Sequence, residues 1–391
     1  MRVAVCGPIE IRELAPWLDS PSDAPDLPLG MPGTAVTQMV TGLLERGHSI
    51  VVVTLDPSIR KPIRREGDSL SLRVGPYRPR HRARDAFKLE RTFVERALLD
   101  ERPDVVHAHW TYEYALGALA TQIPCLATVR DWAPTILRFD PTPYRGVRLL
   151  MATAVFARAR HLTVTSPYMQ QQVKRWTRRA ATLIPNGLDD RYFCPRELPP
   201  NLASPQLLAA NNGAGERKNI ETLLEANARL RADYPASCLL LVGTSYEHAG
   251  PVHEWAAKRG LDDRVEFLGP IPHPELVSRL RTVDAFVHPA REESFGNVLV
   301  EAMAQGVPVI AGRSSGAVPW VLNDGEAGVL TDVDSPEQLA MDVGGLLGDE
   351  KRWWQFSKAG YARASTSFRL STTIDLYVDE YRRLVRARTS G

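Results

Sequence analysis

The sequence predicts an α/β protein made of two doubly wound, Rossmann-like domains, each a parallel sheet with helices on both faces. Short apolar segments alternate with amphipathic ones along both halves of the chain, which is the pattern of successive β-α-β units. The chain has 391 residues, which exceeds one typical hydrophobic core. Ligands of such sheets bind at the carboxyl ends of the strands, so we expect the two domains to face each other across a cleft that holds both sites.

Composition and charge exclude several classes of function. A net charge of +2 argues against a dedicated nucleic-acid binder. No apolar run approaches the ~18 residues that span a membrane, and the first residues resemble a strand and not a signal peptide. The cysteines lie far apart without metal-binding spacing, so we expect a reduced cytoplasmic protein with structural thiols. We also expect no metal and no cofactor. They are Cys6, Cys125, Cys194 and Cys238.

A first β-α-β unit is predicted at the start of the chain. Arg2 to Gly7 is an apolar strand, and the polar segment that follows to about Gly30 is predicted to form a loop over the cleft. A turn at Gly33 opens a helix that runs to Glu45, and Ile50 to Thr54 is the next strand.

Five arginines and no acid fall between Arg73 and Arg84. This segment could dock an anionic acceptor or an acidic membrane surface. It could also be a solvated basic loop that leads into a helix from about Asp85 to Asp100. We favour the loop, because no apolar face lies beside it to hold a membrane.

Two histidines close the predicted strand from Pro103 to Trp110. Because ligands bind at the carboxyl ends of parallel strands, we expect His109 to face the cleft. We expect His107 to be a hydrogen-bonded structural residue.

A pair of charged residues follows the predicted strand from Pro124 to Val129. Arg130 carries a fixed positive charge and is followed by Asp131. The arginine fits either an anionic acceptor or an internal pair with Asp131, and the sequence does not separate the two.

The second domain is predicted to begin after a proline-rich linker, with a strand from Gln206 to Ala210. Arg217 and Lys218 stand just before a helix that carries Ile220 and Leu224 on one face. Basic side chains at the start of a helix are mildly unfavourable against its dipole, which indicates that these two serve a ligand.

A strand, a polar turn and a helix follow one another between Asp284 and Pro308. We expect Asn297 to cap the helix and Gly306 to end it. The first amides of such a helix favour an anion. Glu293 lies in the turn and Glu301 lies eight positions later, so each can reach one end of a ligand.

This stretch resembles the E-x7-E motif of glycosyltransferase family 4, a large family of retaining enzymes with the GT-B fold. The match runs residue for residue from Glu293 to Glu301, through Ser294, Phe295, Gly296 and Asn297. In that family the first Glu and the Ser-Phe-Gly turn hold the hydroxyls of the donor sugar, and the second Glu holds the ribose.

Other positions match the family as well. Gly33 stands at the start of the family's first helix, and His109 at a histidine that lines the donor-sugar site. Lys218 matches the lysine that clamps the donor diphosphate, and Arg217 is adjacent to it. The backbone from Gly269 to Ile271 is expected to form a wall of the nucleobase site.

The resemblance implies a retaining, metal-independent hexosyltransferase that moves a sugar from a nucleoside diphosphate sugar to an acceptor hydroxyl. The expected acceptor is a sugar, a glycoconjugate or a small molecule, with no nucleic acid and at most weak peripheral contact with the inner membrane face. His109, Lys218 and Glu293 are expected to act in catalysis, and Arg130 and Asp131 to face the acceptor.

The same resemblance implies the domain boundaries. Residues 1–188 are expected to form the acceptor-side domain and residues 189–371 the donor-binding domain. A last helix, from about 372 to 391, is expected to pack back on the first domain.

Four positions depart from the family pattern: Pro32 for Gly, Arg130 for His, Gly213 for Arg and Trp320 for Glu. The last three leave open a catalytically silent subunit that binds a sugar nucleotide. A nucleotide-sugar 2-epimerase is a further alternative, although it has no reason to carry the motif. A glycosidase would need a second carboxylate near Glu293, whereas Glu301 is expected at the ribose end.

Overall fold

The computed structural model describes residues 1–19 and 27–389. The chain divides into two units, one formed by Met1–Gly187 with the residues from Leu370 onward and the other by Leu188–Arg369. This division falls within two residues of the boundaries that the sequence predicts. Part of the segment predicted as a loop over the cleft, residues 20–26, lies outside the described residues.

The first unit contains an eight-stranded sheet. Its strands are β1 (Arg2–Cys6), β2 (Ser49–Asp56), β3 (Ile63–Glu66), β4 (Leu70–Pro76), β5 (Val105–His109), β6 (Cys125–Val129), β7 (His161–Val164) and β8 (Thr182–Leu183). Their order is β3-β4-β2-β1-β5-β6-β7-β8, and neighbours pair in parallel except β3 with β4. The central strands are buried on both faces, as a parallel sheet covered by helices requires.

Helices connect these strands in the doubly wound manner. They are α1 (Thr34–Glu45), α2 (Lys88–Glu101), α3 (Glu113–Ala120), α4 (Ala133–Phe139), α5 (Pro143–Arg158) and α6 (Pro167–Thr177). Short 3-10 helices lie at Ile11–Trp17 and Arg82–Asp85 in this unit, and at Asp190–Tyr192 and Asn323–Gly325 in the other.

The second unit is built on a six-stranded sheet in which neighbouring strands pair in parallel. Its strands are β9 (Gln206–Ala210), β10 (Cys238–Val242), β11 (Val265–Gly269), β12 (Ala285–His288), β13 (Val309–Gly312) and β14 (Val329–Thr331), in the order β11-β10-β9-β12-β13-β14. Its helices are α7 (Ile220–Leu230), α8 (Pro251–Ala257), α9 (His273–Leu280), α10 (Asn297–Ala304), α11 (Val318–Val321), α12 (Pro336–Leu347) and α13 (Glu350–Ser367).

The chain then returns to the first unit as α14 (Leu370–Thr389). Ile374 and Tyr377 of this helix join the apolar cluster that contains Val40 and Leu43 of α1. The two helices pack closely at Gly42, where a Cβ atom would stand 2.4 Å from Cδ1 of Ile374. Among the residues described, no helix combines the length and apolar character that crossing a bilayer requires.

Several elements are absent from the sequence-based prediction. The edge strand β3 has the sequence I-R-R-E and only partial burial, so it lacks the apolar alternation that identifies a strand. The segment predicted as a basic loop begins inside β4, which includes Arg73. The short helices α3, α4 and α9, of seven or eight residues each, were also not predicted.

Ion pairs hold much of the basic segment in place. Arg73 pairs with Glu101 at 3.1 Å, and Arg78 pairs with Glu90 of α2 at 2.7 Å. The guanidinium of Arg82 lies over an aromatic ring of the same segment. Three of its five arginines are thus engaged within the first unit, which favours the loop interpretation over a dedicated docking patch.

A buried polar network joins this sheet to α14. His107 Nδ1 lies 2.6 Å from the Tyr381 hydroxyl, and its Nε2 lies 2.6 Å from Oγ1 of Thr128. Thr128 in turn contacts the hydroxyl of Thr163 at 2.6 Å. Tyr377 stacks beside Tyr381, but its hydroxyl is buried without a hydrogen-bond partner among the described residues.

We predict that Tyr381→Phe lowers the free energy of unfolding by about 1–2 kcal/mol, because a buried ring nitrogen of His107 then lacks its partner. Tyr377→Phe is the matched control, since it removes a hydroxyl that makes no such bond. Chemical denaturation of both variants measures the difference. Equal losses in the two variants would contradict the role of the network.

Candidate active site

Two loops of the second unit meet at the carboxyl edge of its sheet. Strands β9 and β12 are neighbours, and each leads into a polar loop there. The side-chain amide of Asn219 donates to the backbone oxygens of Pro289 at 3.1 Å and Val333 at 2.6 Å. The backbone amide of Arg291 donates to the oxygen of Arg217 at 2.9 Å. The loop that carries Arg217 and Lys218 is therefore fixed against the turn that carries Glu293.

An ion pair joins the two loops at the centre of this site. Lys218 Nζ donates to Oε1 of Glu293, and each side chain is only 13% exposed. His288, the last residue of β12, places Nε2 at 3.2 Å from the same carboxylate oxygen. The structure thus brings together the predicted lysine and glutamate and adds a histidine.

The electrostatics of this cluster keep Glu293 ionised. Burial alone would raise the pKa of Glu293, but the charge of Lys218 and the hydrogen bond of His288 outweigh it and hold that pKa well below its usual value. The folded-state pKa is therefore lower than the unfolded one. The pair stabilises the fold fully at neutral pH, and this contribution is lost as the pH falls below the ordinary carboxyl range.

Arg217 is held by a second carboxylate that the sequence did not single out. Its Nη1 lies 3.2 Å from Oε2 of Glu292, a buried residue. Burial and the neighbouring charge of Glu293 raise the pKa of Glu292, while Arg217 opposes that rise. Arg217 is thus directed to Glu292, next to the pair of Lys218 and Glu293.

Glu301 lies on α10 with a different partner. His273, the first residue of α9, places Nε2 at 3.1 Å from Oε1 of Glu301, and the carboxylate is almost fully buried. The His273 ring stands edge-on to Tyr192, with 5.1 Å between ring centroids. The two acids of the motif are therefore held by separate histidines.

The start of α10 differs from the prediction that Asn297 caps it. Gly296 is the capping residue, with a left-handed φ of 87° that favours glycine, and Asn297 is the first helical residue. A Cβ atom on Gly296 would stand 2.8 Å from Leu299 Cδ1. The turn thus depends on the glycine, and Ser294 before it is half-buried.

Apolar packing supports the turn that carries Glu293. Phe295 is 3% exposed and packs edge-on to Phe368, with 5.5 Å between ring centroids. The ring of Trp320, at one of the positions that depart from the expected family pattern, lies 6.3 Å from that of Phe295. Ile271 is half-buried against the same apolar cluster.

In the first unit, Gly33 and His109 lie at the carboxyl edge of the sheet. A Cβ atom on Gly33 would stand 2.1 Å from the backbone oxygen of Pro8, so only glycine fits there. A Cβ atom on Gly7 would stand 3.0 Å from Cβ of His109. The segment after β1 therefore packs on both predicted residues.

His109 is fully buried and receives a hydrogen bond from Arg130, whose Nε lies 2.9 Å from Nδ1 of the imidazole. Arg130 Nη1 also donates to Oδ1 of Asn186 at 2.6 Å. Asp131 accepts a hydrogen bond from the Tyr112 hydroxyl at 3.0 Å. Arg130 thus contacts the predicted histidine directly, an arrangement that the sequence did not anticipate.

Three residues of the site were not predicted: Glu292, His288 and His273. His288 could have been found, because it ends a predicted strand just as His109 does. His273 and Glu292 act through contacts across 28 and 75 positions of sequence, which no local pattern reveals. Among the described residues, no group of three or more metal-binding side chains is placed to hold a metal ion.

We predict that Lys218→Met lowers the unfolding free energy of the second unit by about 3 kcal/mol, because it leaves the buried charge of Glu293 without its cation. The double variant Lys218→Met with Glu293→Gln should recover most of that loss, since both charges are gone. Urea denaturation measures both.

Arg231→Met is the matched control, since it breaks a more exposed pair with Asp263 and should cost less than about 1 kcal/mol. A double variant no more stable than Lys218→Met would contradict this account of the pair.

Comparison with known families covers both units. Residues 32–192 match the model described as Glycosyltransferase Family 4, and residues 199–363 match the model described as Glycosyl transferases group 1. The lipopolysaccharide core biosynthesis glycosyltransferase LpsE of Rhizobium meliloti is 32% identical over 163 residues, 42% of this chain and 46% of that relative. That match therefore spans less than half of the relative's length.

A longer match is the phosphatidyl-myo-inositol mannosyltransferase of Mycolicibacterium smegmatis, which is 28% identical over 366 residues, 87% of this chain and 86% of that relative. Among solved structures, sucrose-phosphate synthase from Thermosynechococcus elongatus gives a TM-score of 0.79 at 22% identity, over 99% of this chain and 100% of that one. Anabaena HepE, solved with UDP and glucose, gives 0.70 at 17% identity, over 98% and 100%.

The two likenesses to solved structures show the fold, which is GT-B. The two family models between them match the greater part of both units. The chain therefore belongs to glycosyltransferase family 4 and carries a group 1 glycosyl transferase domain in its second unit.

Proposed function

We propose that this chain transfers a hexose-type sugar from a nucleoside diphosphate sugar to an acceptor hydroxyl, with retention of anomeric configuration and without a metal ion. The observation that carries the proposal is the pair of Lys218 and Glu293 beside His288 at the carboxyl edge of the second sheet. A cation suited to phosphate and an anion suited to sugar hydroxyls thus stand side by side.

The positive charge of Lys218 compensates the negative charge that develops in the reaction. Cleavage of the anomeric C–O bond leaves negative charge on the departing diphosphate, which Lys218 stabilises. The first amides of α10 add to that stabilisation. Arg217 has a secondary role, because Glu292 already engages it.

The acids bind the donor and do not donate protons. A low pKa keeps Glu293 ionised, so it accepts hydrogen bonds from sugar hydroxyls and cannot act as a general acid. Glu301, steadied by His273, holds the ribose. The remaining donor contacts are assigned to Gly33, Ile271, Ser294, Phe295, Gly296 and Asn297.

Retention follows from attack on the face that the diphosphate leaves. The acceptor oxygen forms the new bond to the anomeric carbon as the bond to the diphosphate oxygen breaks, and the acceptor proton passes to the departing phosphate. The protein orients the reactants and stabilises charge, and no side chain becomes a covalent nucleophile.

The acceptor is proposed to be a sugar or polyol hydroxyl, free or on a glycoconjugate, bound on the side of Arg130 and Asp131. The names of two relatives, which refer to lipopolysaccharide core and to phosphatidyl-myo-inositol, support this class. All four cysteines are unpaired, which supports a reducing, cytoplasmic location.

A catalytically silent, nucleotide-binding subunit is the second candidate. Trp320 packs against Phe295 and Phe368 where relatives commonly have an acid, so that position supplies no carboxylate. A nucleotide-release assay with several donors and acceptors separates the two candidates. Silence with all of them, despite nucleotide binding, would favour the subunit.

We predict that Lys218→Ala and Glu293→Gln each lower turnover by at least ~100-fold, which is what one such contact to developing charge supplies. The controls are Lys258→Ala and Glu221→Gln, which change exposed residues of the same unit and should leave turnover unchanged. Initial rates of nucleotide release, measured where circular dichroism shows each variant folded, test this. Near-normal rates in either site variant would refute the assignment.

We also predict that one of UDP, GDP and ADP raises the thermal midpoint of the protein more than the others. A nucleotide at a hundred times its dissociation constant adds ~2.7 kcal/mol to the unfolding free energy. Differential scanning fluorimetry identifies the base. No response to any of the three at millimolar concentration would contradict a nucleoside diphosphate donor.

A further inference from the structure

We infer that Arg130 is a positioning residue that fixes His109 as the tautomer with its proton on Nε2. In this form His109 offers one hydrogen-bond donor to a hydroxyl oxygen of the transferred sugar. The ligand in this inference rests on the proposed function. The tautomer itself does not, because it follows from contacts within the first unit.

The direction of one hydrogen bond determines the tautomer. A guanidinium has five N–H donors and no acceptor, so the Nε of Arg130 can only donate. Nδ1 of His109, 2.9 Å away, must therefore present its lone pair. In a neutral imidazole the proton then lies on the other nitrogen, Nε2.

The cationic form of His109 does not fit this contact. Protonation of Nδ1 would turn its N–H toward the N–H of Arg130 and place two positive charges side by side. Burial, His107 and Arg130 all lower the pKa of His109 in agreement with this geometry. His109 is therefore suited to donate a hydrogen bond and not to carry a proton between reactants.

The remaining nitrogen of His109 is the feature that points to a ligand. The ring is fully buried, and Nε2 has no hydrogen-bond partner among the described residues. A buried N–H without an acceptor is unfavourable, so an incoming oxygen atom that accepts from it gains a contact that the protein alone does not satisfy. A sugar hydroxyl has such an oxygen.

Both neighbours of His109 are themselves held in place. Arg130 is anchored by its second hydrogen bond, to Asn186. Asn186 is followed by Gly187, which packs so closely on α14 that a Cβ atom there would stand 2.5 Å from Cα of Leu370. On the other side the tilted ring of His107 packs against His109 with 4.0 Å between ring centroids, and both nitrogens of His107 are bonded. The imidazole of His109 therefore cannot turn to exchange its two nitrogens.

The experiment is long-range ¹H–¹⁵N spectroscopy of the whole protein with labelled histidine, which distinguishes a protonated ring nitrogen from an unprotonated one. His109→Gln identifies the signals of this residue. We expect an unprotonated Nδ1 and a protonated Nε2 across the neutral pH range. A proton on Nδ1, or a cationic ring, would overturn the inference.

Arg130→Met removes the donor, and we expect the His109 signals to change to a mixture of tautomers or to titrate. Arg138→Met, at an exposed arginine of α4, is the matched control and should leave them unchanged. A spectrum of Arg130→Met that matches the wild type would overturn the role of Arg130. If Arg130→Met does not fold, the wild-type spectrum still tests the tautomer of His109. The variant Asn186→Ala, which removes the anchor of Arg130, then tests the role of Arg130.

The sugar contact is tested separately by adding UDP or GDP alone and then UDP-glucose or GDP-mannose. The Nε2 signal should move with a nucleotide sugar and not with the nucleotide alone. Arg130→Met should also lower kcat/KM about 10-fold, the value of one neutral hydrogen bond, while nucleotide affinity stays unchanged. A signal that moves equally with nucleotide alone would overturn the assignment to the sugar. Absence of any transfer would refute the proposed function and leave the tautomer result standing.

Discussion

The buried ion pair of Lys218 and Glu293 is the contact on which the second unit's site depends. It joins the loop after β9 to the turn after β12, and the surrounding hydrogen bonds of Asn219 and Arg291 hold the backbones of both loops in place. A pair this enclosed contributes little net stability compared with apolar packing, because both charges lose their hydration. The pair therefore fits the proposed sugar-nucleotide site better than a purely stabilising role.

The strand and helix pattern of the sequence was enough to predict most of the fold. Strands such as Gln206–Ala210 and Cys238–Val242 have the predicted bounds, because a buried parallel strand is a short continuous apolar run between polar turns. The edge strand β3 was missed because it is only partly buried and lacks an apolar run, and the short helices were missed because each spans only seven or eight residues. At the site, Glu293 was identified by a motif, whereas Glu292 was not, because its partner Arg217 lies 75 positions away.

The first unit shows why a substituted position is difficult to interpret from sequence. Arg130 fitted an anionic acceptor or a pair with Asp131, and the structure adds contacts with His109 and Asn186. Neither contact could be inferred from sequence, because the two partners lie 21 and 56 positions away. Trp320 is similar, since its packing on Phe295 and Phe368 arises from three separate elements. A residue that departs from a family pattern can therefore be interpreted only when its neighbours in the folded structure are known.

The passage of the chain out of the first unit at Gly187 and back at Leu370 has a consequence for biosynthesis. The core around α1 and the partner of His107 are both completed by α14, so the first unit cannot finish folding until that helix has emerged from the ribosome. The second unit is continuous in sequence and has all its strands by then. During translation the second unit can therefore fold before the first is complete, and the apolar surface that α14 covers in the finished protein is the part of the nascent chain that most needs protection from aggregation.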